Sequence, residues 1–147
     1  MQTKVTKIER DKPEILEIRC HEISDEVREI IAFVKSRHGQ LTGTADDRMY
    51  EIAVTDIFYI ESVDCKTFIY SRDRVYETRQ KLYELEEILR EKHFLRVSKS
   101  VLMNLMKVDS IKPALNSRFT AVLKSGEQIV ISRKYVPALK KALKGDS

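Results

Sequence analysis

The residues best suited to chemistry lie in one run, Phe94-Leu95-Arg96-Val97-Ser98-Lys99-Ser100-Val101-Leu102-Met103-Asn104-Leu105-Met106-Lys107-Val108. Arg96, Ser98, Lys99, Ser100 and Asn104 stand there among apolar anchors. Lysine and serine side chains suit phosphate oxygens, and an asparagine amide can pair with the edge of adenine. The residues alone leave two readings open, a nucleic-acid contact and a polar turn between strands. Catalysis has no comparable support. The four glycines form neither GxGxxG nor GxxxxGK[ST], and no GxSxG elbow occurs. Cys65 has no evident histidine partner, and the pair Glu86-Glu87 lies on a charge-dense stretch typical of a solvated helix face. His21, His38 and His93 are scattered at no metal-ligand spacing, and Cys20 and Cys65 form no CxxC. The expectation is a protein that is not an enzyme and has no metal or cofactor.

The elements that must position this run come from a chain of 147 residues, enough for one domain or one domain with an appendage. A hydrophobic share of 42% against 34% charged residues describes an ordinary globular protein. No apolar run reaches the length of about 18 residues needed to span a bilayer. The opening MQTKVTKIERDK lacks the apolar core of a signal peptide, so the cytoplasm is the expected compartment, where a disulfide is not favoured. The net charge of +4 is unevenly placed. Through Leu89 there are 14 Lys and Arg against 19 Asp and Glu; from Arg90 onward there are 13 against 4. So basic a segment suits a polyanion, since clustered cations release counterions from a phosphate backbone. A merely well-solvated surface fits the same charge.

Glu14 to Cys20 alternates imperfectly and predicts a strand. A helix should follow, with Ser24 as N-cap, Asp25 and Glu26 in its first turn, Val27, Ile30, Ile31 and Val34 on one face, and Gly39 as its stop. That face serves either the core or a second copy. The polar stretch Thr42 to Arg48 reads as a turn or linker. Strands are predicted at 49–54, 56–63, 66–71, 75–79, from 94 to 97, 108–115, 119–124 and 128–132. Hairpin turns fall at Arg72-Asp73-Arg74 and Ser125-Gly126-Glu127, and Pro113 marks an edge or bend. Helices are predicted over 81–93 and 135–143.

Three segments together resemble the LytTR family. Phe94 to Val108 is similar to its Phe-x-Arg-x-His-[Arg/Lys]-Ser signature with a following asparagine. Val122-Leu123-Lys124-Ser125-Gly126-Glu127 and Val130-Ile131-Ser132-Arg133-Lys134-Tyr135 resemble the family's Leu-x-Asn-Gly-Glu…Val-Ser-Arg-Arg-Tyr ending, and Asp56 to Ser62 is similar to its opening strand. The resemblance implies an α+β, mainly β fold: an elongated arrangement of short antiparallel sheets over 44–147, preceded by a small β-α extension over 1–43 that packs or dimerises. It implies a transcription regulator whose loops enter successive major grooves of double-stranded DNA. Carried over residue by residue, base reading falls to Asn104, Arg133 and Lys66 (or its neighbour Cys65), and phosphate binding to Lys99, Ser100, Lys134 and Arg96, the last equally able to brace the fold.

Two departures matter. Ser98 stands where many members have histidine. Only 43 residues precede the domain, too few for the phospho-receiver that familiar members carry, so the resemblance is to stand-alone members. For those it implies a homodimer on direct repeats, regulated by dimerisation or by a partner such as a small membrane protein. The competing expectation is a protein-interaction module docking an acidic or membrane-associated partner. RNA binding is a minor option, because Tyr59, Phe68 and Tyr70 fit strand packing better than an exposed stacking ladder.

Overall fold

The structure, a computed structural model, describes residues 1–37 and 39–144. In chain order the elements are α1 (Asp25–Arg37), β1 (Gln40–Ala45), β2 (Arg48–Ala53), β3 (Ile57–Val63), β4 (Lys66–Ser71), β5 (Val75–Thr78), α2 (Leu82–Ile88), β6 (Phe94–Arg96), β7 (Val101–Asn104), β8 (Val108–Pro113), β9 (Phe119–Leu123), β10 (Gln128–Ile131) and α3 (Val136–Leu143). They form an antiparallel seven-stranded sheet of order β2-β1-β5-β4-β3-β7-β6 and a three-stranded sheet of order β10-β9-β8. The fold is α+β and mainly β, as expected. Among the described residues no helix is long and apolar enough to cross a membrane.

Local chemistry explains the hairpins. Asp46 and Asp47 join β1 to β2, Asp64 and Cys65 join β3 to β4, and Asn116 and Ser117 join β8 to β9, all at positive φ. Two consecutive residues in that region match the right-handed twist of paired strands, and Asp and Asn adopt it at low cost. Gly126, with φ 94°, serves the β9–β10 turn.

Strand alternation sends side chains to two cores. On one face Leu41, Ile52, Ile57, Ile60, Ile69 and Leu102 cluster with Leu82, Leu85 and Leu89 of the α2 region. On the other, Phe58, Val97 and Met103 cluster with Ala121, Leu123, Ile129 and Ile131 of the small sheet and with Val136 and Leu139 of α3. Leu102 and Met103, adjacent in β7 and both fully buried, therefore belong to different cores. Burying each such side chain stabilises the fold by about 1.5–3 kcal/mol.

The structure departs from the sequence reading at several elements, among them β7 (Val101–Asn104), a strand that was not predicted. The strand expected over Glu14 to Cys20 does not form: no ladder involves it, and Ile15 and Leu16 are exposed. Alternation signals a willingness to pair, but among the described residues no strand pairs with this segment. The stretch Thr42 to Arg48, expected as a turn or linker, does hold a turn at Asp46-Asp47, but Thr42 to Ala45 belong to β1, which pairs with β2 along its whole length. The boundary placed between residues 43 and 44 falls inside this strand. The helix expected to reach His93 stops at Ile88, after which Lys92 N donates to Leu89 O (2.9 Å) and His93 takes φ 67°, turning the chain into β6. By contrast α1 is capped as expected, with Val27 N donating to Ser24 Oγ (3.3 Å), and Val27 is buried where the helix packs beside β1.

Gly43 is required by packing. A Cβ there would lie 2.7 Å from Tyr76 Cβ and 3.0 Å from Ile52 Cδ1. The first of these is bound to backbone and cannot swing aside. Gly43→Ala is therefore expected to lower stability by about 1–3 kcal/mol, read as a fall in the urea midpoint at unchanged m-value.

Candidate nucleic-acid interface

Three connections distant in sequence meet at one end of the molecule. The first is the β3–β4 tip, Val63 to Lys66, held in a narrow turn by the pairing of Val63 with Lys66. The second is the β6–β7 loop, Val97 to Ser100, closed by Val97 N donating to Val101 O (3.0 Å). The third is Ser132 and the 3-10 turn Arg133–Tyr135 between β10 and α3. Backbone bonds fix their mutual positions. Ser62 N donates to Ser100 O (2.8 Å), tying the first to the second, and Ser132 N donates to Val97 O (2.9 Å), tying the third to the second.

Lys66, Lys99, Arg133 and Lys134 are exposed on these connections, one or two on each. Among the described residues none of the four joins a salt bridge. Lys134 Nζ lies 5.6 Å from the centre of the Tyr135 ring, which steadies it without neutralising its charge. Ser100 is half-buried, and its N–H donates to Ser98 Oγ (3.2 Å), a local turn that helps hold the loop. Cys65, at the first tip, is exposed and free.

Two of the expected contact residues face inward. Asn104 is 2% exposed. Its Nδ2 donates to Ile57 O (2.8 Å), and its Oδ1 accepts from Met106 N (3.0 Å), joining β7 to the start of β3 and capping the short turn after it. An amide buried and engaged at both ends presents no edge to a base, so this geometry gives Asn104 a bracing role in place of the expected reading role. Arg96 is likewise committed. Its Nε donates to Ser98 O (2.8 Å), its Nη2 to Lys99 O, and its Nη1 to Glu86 Oε1 (2.7 Å). Its guanidinium therefore grips the loop from within, where the expectation had left phosphate binding and bracing open.

The sequence reading missed a flank. Phe119 pairs with both Ile131 and Pro113, so the β8–β9 turn lies at the end of the small sheet next to Ser132. Exposed Lys112 and Arg118 sit there, and Lys140 Nζ of α3 lies 5.6 Å from the centre of the Phe119 ring. Only the general basicity of the last third hinted at them.

An acidic strap sits on the sheet behind the loops. Tyr59 Oη donates to Glu127 Oε2 (2.8 Å) across the two sheets, Tyr70 Oη donates to Glu61 Oε1 (3.4 Å), and the two rings stack at 4.3 Å. Burial first, then the hydrogen bond to Glu127 and the nearby carboxylates, push the Tyr59 hydroxyl well above its ordinary range. A raised phenol holds its proton in the folded state after the unfolded state has released it. Stability is thus expected to fall as pH rises beyond the ordinary tyrosine value of about 10. Tyr59→Phe should flatten that alkaline limb in denaturation curves measured across it.

Comparison with known proteins agrees with this architecture. Residues 47–144 match the family model of the LytTr DNA-binding domain. A sensory transduction protein LytT from Bacillus cereus is 32% identical over 93 residues, which is 63% of this chain but only 38% of that protein. The chain thus spans well under half the length of such relatives. An HTH-type transcriptional regulator from Staphylococcus aureus (strain bovine RF122) is 25% identical over 130 residues, covering 87% of this chain and 88% of that one. A solved LytTr DNA-binding domain from Bacillus cereus superposes with a TM-score of 0.68 at 24% identity, over 71% of this chain and 96% of that one, and shows the shared fold. With its three strand-borne loops brought to one end, and with a match across two-thirds of its length, the chain belongs to the LytTR DNA-binding domain family.

Proposed function

We propose that this chain is a transcription regulator that reads the major groove of double-stranded DNA through the three converging connections. Arg133 and Lys66 meet base edges, and Lys99, Ser100 and Lys134 meet phosphates, with Lys112 and Arg118 extending the backbone contact. Asn104 stands outside this set because it is buried. The single observation that carries the reading is the bonding of the β3–β4 tip and the Ser132 turn to opposite ends of the Val97–Ser100 segment. That arrangement collects four cations that join no salt bridge among the described residues, on supports tied together by backbone bonds. An arginine fork suits guanine O6 and N7, whereas lysines bind phosphate as point charges. In this reading the protein works in the cytoplasm as a homodimer on direct repeats, the segment preceding β1 serves as an extension that packs or pairs protomers, and a small membrane protein is a candidate regulator.

Selection of sites from random duplex DNA at near-physiological salt tests the proposal. Enrichment of a motif with two spaced half-sites is the expected result. On that motif Lys99→Ala should weaken binding to all sequences alike and reduce the salt slope by about one unit. Absence of any enrichment by the folded protein would count against DNA reading and favour an interaction module.

A further inference from the structure

We propose that Arg96 and Glu86 form a positioning pair that sets the spacing between the base-reading connections, so that Arg96 governs sequence discrimination without touching DNA. This rests on the DNA-reading interface above. The Val97–Ser100 segment is the piece from which both neighbours hang, through Ser132 N to Val97 O (2.9 Å) and Ser62 N to Ser100 O (2.8 Å). Its own internal bonds are few: Val97 N to Val101 O, and Ser100 N to Ser98 Oγ. Arg96 supplies what the loop lacks. One planar guanidinium donates to two consecutive carbonyls, Ser98 O and Lys99 O, while its remaining arm donates to Glu86 Oε1 (2.7 Å).

The chemistry is specific to arginine. Its donors lie in a fixed plane, so three acceptors can be held at once; a lysine ammonium on a flexible stem offers no such fork. Glu86 fixes that plane with a charge-assisted bond, and its own backbone is anchored because α2 is buried through Leu85 and ends at buried Leu89. The Arg96 side chain is 19% exposed and that of Glu86 is 42% exposed, so Arg96 is the more covered partner of a pair at the edge of the loop. Nε and both terminal nitrogens of Arg96 are each engaged by an acceptor of the protein itself, which holds the guanidinium against the loop. A shift of Val97–Ser100 would move Lys66 and Arg133 relative to each other, and misplaced base contacts lose selectivity before they lose charge attraction.

The test uses the full chain. Affinity for the selected motif and for a scrambled duplex is measured over a salt series for wild type, Arg96→Lys, Glu86→Ala and Glu86→Gln. Lys99→Ala serves as the phosphate-contact reference. Amide hydrogen exchange at Ser100 and Ser132 reports on the loop directly. Arg96→Lys and Glu86→Ala are expected to lower the specific-to-scrambled ratio about tenfold, within the range of one lost base contact, at an unchanged salt slope. Exchange at both amides should quicken, and Glu86→Gln, which keeps an acceptor, should lose less than Glu86→Ala. A salt slope reduced by about one unit at constant ratio would make Arg96 a phosphate ligand and overturn the proposal. Unchanged ratio and exchange in Glu86→Ala, a variant at a half-exposed site, would overturn it too. Failure with wild-type DNA binding intact falls on this inference alone; loss of wild-type DNA binding falls on the interface reading beneath it.

Discussion

Asn104→Ala is expected to lower the unfolding free energy by roughly 2–4 kcal/mol, because truncation strands a buried carbonyl and a backbone N–H together. The carbonyl belongs to Ile57 at the start of β3, and the N–H to Met106 in the turn leading to β8. The Ile57 carbonyl belongs to a fully buried residue and loses its partner, while the Met106 N–H lies at a part-buried bond and loses less. Thermal and urea midpoints should both fall. DNA affinity at a temperature where the variant is folded should fall on specific and scrambled duplexes alike, through loosening of β3 against β7. A base-reading asparagine would behave in the opposite way, leaving stability intact and changing the preferred motif at one position. A variant with wild-type midpoints and an altered motif would therefore restore Asn104 to the reading set.

Arg133→Ala is the complementary experiment. Arg133 is exposed on a 3-10 turn and joins no salt bridge among the described residues. Its removal should change stability by no more than about 0.5 kcal/mol. Against the selected motif the expected loss is about 1–3 kcal/mol, with scrambled DNA much less affected. Fluorescence anisotropy on the two duplexes reads both numbers. Equal losses would reduce Arg133 to a backbone contact and leave Lys66 as the remaining candidate for base reading.

Most strands were legible because their alternation and bounding turns are local properties. Lys66–Ser71 agrees residue for residue with its expectation, and the Asn116-Ser117 and Gly126 turns fall where their chemistry points. What stayed hidden depended on partners. β1 carries threonines and Gly43 in place of an apolar run, and it is a strand because β2 and β5 lie on either side of it. Glu14 to Cys20 shows the converse, a strand-like pattern with no ladder. At the interface, the exposed Lys66, Lys99, Arg133 and Lys134 could be picked out from sequence. Their convergence could not, since it depends on β3 pairing with β7 across the intervening hairpin and helix. Nor does residue type separate a reading asparagine from a bracing one, or a phosphate-binding arginine from one that grips its own loop. Burial and hydrogen bonding make that distinction for Asn104 and Arg96.

The sheet order also constrains when the interface comes into being. β1 must await β5, and β3 must await β7, so the large sheet closes through pairings far apart along the chain. Such non-local pairing places folding in the slower range, milliseconds to seconds, which is comparable with synthesis at about 5–20 residues per second. A nascent chain that has just released β7 can already carry Lys66 and Lys99 in place, yet lacks the Ser132 turn, the small sheet and α3 that cover Val97 and Met103. It would expose Phe58, Val97 and Met103 while holding only two of the three connections. The three connections are therefore assembled only after residues near Val136 and Leu139 have emerged and docked.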